Sequence, residues 1–106
     1  MEIKMKAREY VLSFTATILN GLCADPKSRE CEDSLIKLQG EIDKMPFIKQ
    51  FGNQEFSFLR EPEDYAVYVL GESEKRVDVP IEIGEAVARM MAVLLVDNWG
   101  KTLLNL

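Results

Sequence analysis

The chain has 106 residues, 47% hydrophobic and 29% charged, the size and composition of one globular domain spanning 1–106. Thirteen basic residues against eighteen acidic ones leave a formal charge of −5, which argues against unaided binding to nucleic-acid phosphates. No histidine is present and there are two cysteines, so the usual general base and the commonest metal ligand are missing, and neither a metal nor a cofactor is expected.

Tyr10 to Ala24 is a run of fifteen residues without a charge. It predicts a first helix starting between Met5 and Arg8 and ending near Ala24, weakened at Asn20-Gly21 and stopped by Asp25-Pro26. Its large apolar side chains do not keep to one face, so it should be buried on more than one side, within its own domain or against a second copy. Phe14, Ile18 and Leu22 are its candidate interface residues. Asp25 is the expected N-cap of a second helix with Pro26 at its first position. There Cys31, Leu35, Leu38, Ile42 and Met45 draw one apolar stripe opposite Asp33, Lys37, Glu41 and Lys44. The two helices should form an antiparallel hairpin ending at Met45-Pro46, and Pro46 to Asn53 reads as a short turn or frayed helix.

Beyond it the period changes. Phe56 and Phe58 alternate with Glu55 and Ser57 as in a half-buried strand. Arg60 to Asp64 reads as a turn, Tyr65 to Leu70 as a central strand on propensity, and Arg76 to Val79 as a third strand after the turn Gly71 to Arg76. A last helix is expected from Pro80 or Gly84 to Asp97 or beyond, with Ile81 to Ile83 readable as strand or helix. Its apolar run continues through Met91 and Leu95 toward Trp99, the lone tryptophan, and these three are further interface candidates. The fold class expected is α+β: an N-terminal helical hairpin, a three-stranded antiparallel meander and a long apolar C-terminal helix over one sheet face.

The start of the chain lacks an apolar run followed by a small-residue cleavage site, and neither apolar stretch reaches the roughly 20 residues of a membrane span. A cytoplasmic protein with free thiols at Cys23 and Cys31 and no membrane contact is the expectation. Glu61, Glu63 and Asp64 form an acidic cluster without recognised ligand spacing, better read as a solvated turn than as a cation site. Arg60, Lys75 and Arg76 bring cations to the connections around the strands. With Tyr65 and Tyr68 they are the candidate contacts for a small anionic ligand, against the alternative of a solvated hairpin with its tyrosines in the core. No residue pattern points to catalysis.

The uncharged first helix closing in Leu19-Asn20-Gly21-Leu22-Cys23-Ala24-Asp25-Pro26 and followed by an amphipathic helix resembles small accessory proteins of bacteriophages and prophages, over about the first 45 residues. That resemblance implies a non-enzymatic protein in a bacterial cytoplasm, acting against a host defence protein. Small size and acidic α/β character are also similar to secretion chaperones of bacterial injection systems, which begin with one helix rather than a hairpin. The expected function is therefore binding without catalysis by a homo-oligomer, its other partner a host protein. The alternatives are sequestration of a small, nucleotide-like anionic signal between subunits, or secretion-type chaperoning.

Overall fold

A computed structural model describes residues 2–22, 25 and 27–94, and for Leu22 the backbone only. The elements are β1 (Ile3–Lys6), α1 (Ala7–Leu22), α2 (Arg29–Lys44), α3 (Pro46–Phe51), β2 (Glu55–Phe58), α4 (Pro62–Val69) and α5 (Ile81–Leu94). The fold is α+β, with these five helices and a two-stranded antiparallel sheet.

The sheet is not the expected meander. β2 pairs with β1, in register Ile3 with Phe58 and Lys6 with Glu55, and the alternation Ile-Lys-Met-Lys sets Ile3 and Met5 half inward and both lysines outward. The ladder continues into the helix that follows. The Ala7 and Arg8 N–H groups donate to the carbonyls of Gln54 (3.1 Å) and Gly52 (2.9 Å), so two of the amides that begin α1 find partners in a distant turn.

α2 starts three residues beyond the expected cap. Ser28, in extended backbone, accepts the Cys31 N–H on its Oγ at 3.2 Å, whereas Asp25 accepts the Lys27 N–H within the connection. At the far end Met45, before a proline, is held out of the helical region (φ −65°, ψ 130°), and Pro46 opens α3. The predicted stripe holds: Cys31, Leu38, Ile42 and Met45 are buried and Leu35 packs against them. Arg8 in the first turn of α1 meets Asp43 in the last turn of α2, Nε to Oδ1 2.6 Å and Nη2 to Oδ2 3.2 Å, which makes the pair an antiparallel hairpin.

Tyr65 to Leu70, expected as the central strand, is helix α4. Pro62 stands at its first position with Glu63 and Asp64 in the first turn, where a missing N–H costs nothing and negative charge suits the helix dipole. Its other end closes on Gly71 at φ +77°: the Gly71 N–H donates to Tyr68 O and the Glu72 N–H to Val67 O, both 3.0 Å, the paired bonds of a Schellman stop. Arg76 to Val79, expected as the third strand, carries no regular structure, and among the described residues β2 pairs with β1 alone. Ile81 to Ile83 is helix, because Pro80 precedes it and its carbonyl accepts the Gly84 N–H at 3.0 Å. α5 packs on α1 and α2; the continuation expected toward Asp97 lies outside the described residues.

α1 is the centre, against α2, α3, α4 and α5. Tyr10 stacks on Phe58 with ring centroids 3.9 Å apart, and Phe14 meets Tyr65 edge-on at 5.3 Å. Thr15, fully buried, turns its hydroxyl onto Val11 O at 2.8 Å, which explains how an uncharged helix tolerates a polar residue in the core. One hydrophobic cluster runs from Ala7 to Leu94.

Candidate functional site

The three cations singled out in the sequence do converge. Arg60 follows β2, while Lys75 and Arg76 lie in the segment that joins α4 to α5. The glycine stop at Gly71 turns that segment out of α4, and the Ser73 Oγ, accepting the Lys75 N–H at 3.2 Å, shapes the bend. Val77, 8% exposed, then pins the segment to the body of the protein. Arg60 and Val77 thereby stand together.

Around them lie two open depressions with shared lining, together forming an uneven crevice in two parts. The larger, about 390 Å³, is lined by Leu59, Arg60, Arg76, Val77 and Asp78. The smaller, about 130 Å³, is lined by Arg60, Asp64, Val67, Ser73, Lys75 and Val77. Arg60 and Val77 belong to both. Arg76 Nε binds Asp78 Oδ1 at 2.9 Å, with both side chains mostly exposed, so the pair contributes little to stability and can exchange its carboxylate for another anion. Three cations against Asp64 and Asp78 leave the lining net positive, on a chain of charge −5.

The tyrosines are elsewhere. Tyr65 is half-buried, edge-on to Phe14 and 6.4 Å from the Tyr10 ring, and burial holds its phenol pKa above the ordinary 10.0. Tyr68 is half-buried and does not line the crevice. Both were expected from a strand; a helical turn sends Asp64 and Val67 to the crevice instead. Leu59, Asp64, Val67, Ser73, Val77 and Asp78 were missed, although Leu59 and Val77 each adjoin a predicted arginine.

Of the interface candidates, Phe14 (0% exposed) and Ile18 (1%) are consumed by the core of a single chain and are corrected accordingly. Met91 is half-buried and packed on that core; the Leu22 side chain, Leu95 and Trp99 lie outside the described residues. The thiol expectation is also corrected, because Cys31 is disulfide-bonded. The sequence holds one other cysteine, Cys23, outside the described residues.

Other features carry less. Glu61, Glu63 and Asp64 do not gather into a cation site: among the described residues no three carboxylate or thiol groups do. A shallow groove of about 210 Å³ lies between Met45, Pro46 and Phe47 and the α5 residues Glu82, Glu85, Ala86 and Arg89. Leu59, Ile36 and Ile81 are exposed at 61%, 65% and 77%. The Tyr10 hydroxyl is buried without a hydrogen-bond partner among the described residues, and desolvation pushes its pKa well above the ordinary value, with Tyr65, Asp64 and Glu63 adding to the shift. No helix among the described residues is long and apolar enough to cross a membrane. Comparison with known proteins returns no match: no family model fits the chain, and neither a curated protein nor a solved structure is similar to it.

Proposed function

We propose that this chain is a non-enzymatic binding protein whose ligand is a small anionic molecule held between Arg60, Lys75 and Arg76. The observation that supports this most is the convergence of cations from two separate connections on one crevice. A net-positive lining on an acidic chain attracts small anions while the remaining surface repels nucleic acid. Two guanidinium groups offer forked donors suited to phosphate or carboxylate oxygens. In the phage setting suggested by the N-terminal hairpin, retention of such a ligand removes a signal from the host cytoplasm.

A second reading, obstruction of a host protein, is favoured by Arg60 beside exposed Leu59, since arginine is among the side chains that anchor partners and the leucine adds apolar surface to bury. Self-association draws on Leu22, Met91, Leu95 and Trp99 rather than on Phe14 or Ile18. Native mass spectrometry of protein purified from bacteria separates these readings. Extra mass lost on denaturation, and lost in the Arg60→Ala/Lys75→Ala/Arg76→Ala variant, supports the small anion. Recovery of one stoichiometric protein with no small-molecule mass supports obstruction.

A further inference from the structure

Resting on that proposed anion site, we infer that the ligand is a nucleoside carrying two linked phosphates, with the diphosphate straddling Arg60 and the nucleoside in the larger part of the crevice. The two parts differ in size and chemistry. The smaller, about 130 Å³, offers the Lys75 ammonium and the Ser73 hydroxyl, donors suited to a phosphate and to little else of bulk. The larger, about 390 Å³, falls in the range of small-molecule pockets. It adds the apolar surfaces of Leu59 and Val77, the Arg76 guanidinium plane and the Asp78 carboxylate.

Each of these has a use toward a nucleoside. Leu59 and Val77 offer apolar surface to a flat ring, and Arg76 offers a stacking plane and positive charge. Asp78, which Arg76 holds at 2.9 Å, accepts hydrogen bonds from hydroxyl or amino groups, as Asp64 does in the smaller part. A ligand that was anion throughout would leave both carboxylates opposed to it; one with donors beyond its phosphates uses them. Arg60 is the cation common to both parts, placed to bind one phosphoryl group with its fork while Lys75 and Ser73 take the neighbouring one.

Calorimetric titration of the whole protein with ADP, GDP, AMP, adenosine and inorganic pyrophosphate tests this. ADP or GDP is expected to bind at least roughly tenfold more tightly than pyrophosphate or AMP, since each missing part forfeits a set of charged or stacking contacts. Arg60→Ala should weaken diphosphates, with and without a nucleoside, by about tenfold or more. Leu59→Ser, at a position 61% exposed where folding is not at stake, should lower ADP or GDP binding toward that of pyrophosphate and leave pyrophosphate unchanged. Equal binding of pyrophosphate and both nucleotides overturns the nucleoside assignment and leaves the anion site standing. No binding by any of the five overturns this inference. Whether the anion site falls with it is read from the mass spectrometric comparison, which does not depend on the choice of probe.

Discussion

Gly40 and Gly71 make an internally controlled test, because the same methyl group is expected to act in opposite directions at the two positions. A Cβ at either site meets no atom within 4 Å, so sterics with neighbours drop out and backbone conformation decides. Gly40 lies inside α2, with no positive φ; Gly40→Ala should stabilise by about 1 kcal/mol, the helix-propensity difference. Gly71 stands at φ +77° and closes α4. There alanine must hold a left-handed conformation, costing about 1 kcal/mol or somewhat more. The two variants should differ by about 2 kcal/mol, with each shifted in Tm by roughly 4–8 °C, upward for Gly40→Ala and downward for Gly71→Ala. Urea titration at fixed pH, with unchanged slope, is the assay. If Gly71→Ala is neutral or stabilising, the glycine stop of α4 is wrong. The segment Tyr65 to Leu70 would then be open again to the strand that its side chains favour.

Tyr10→Phe removes a buried hydroxyl that has no partner while keeping the ring on Phe58, so it should be neutral or stabilise by up to about 1–2 kcal/mol in urea titration. Because the folded Tyr10 pKa is raised above its ordinary 10.0, the parent keeps its full stability below pH 10.0 and loses stability as pH rises beyond it, where the unfolded phenol ionises and the buried one does not. Tyr10→Phe should therefore retain more of its stability in alkaline melts than the parent, and an identical alkaline profile would refute the burial of that phenol. Alkylation of denatured, unreduced protein should find no free Cys31 thiol, and reduction should lower stability by about 2–4 kcal/mol; full labelling without reductant refutes the bond. Arg8→Ala should cost under about 1 kcal/mol, since its pairing with Asp43 is half exposed. The Arg8 hydrogen bond lowers the Asp43 pKa from 3.8, so this small loss should be present at neutral pH and fade as pH falls below 3.8.

The places where pattern misled are instructive. Tyr65-Ala-Val-Tyr-Val-Leu70 carries strong β-propensity, yet Pro62 at one end and Gly71 at the other are helix start and stop signals, and the buried Ala66 lets α4 sit close on α1. These start and stop signals outweigh the β-propensity of the side chains between them. Ile3 to Lys6 does alternate, but four residues mean nothing until a partner is known, and that partner is β2, some fifty residues away. At the crevice, the cations Arg60, Lys75 and Arg76 were readable as charges beside turns. Their carboxylate and apolar neighbours were not, because which faces of α4 and of the following segment point outward depends on the helix that replaced a strand.

By itself the sequence determined the apolar stripe of α2, the central burial of α1, the proline-marked break at Met45-Pro46 and the absence of imidazole chemistry. Each follows from the spacing or identity of neighbouring residues, where local sterics and hydrophobic periodicity act over a few turns. Only the tertiary structure decided that β2 pairs with β1, that Phe14 and Ile18 are used up in one chain, and that Arg60 shares a crevice with Lys75 and Arg76. Those outcomes join distant segments, and the free energy that selects them is the burial of shared apolar surface, which one stretch of sequence does not express alone.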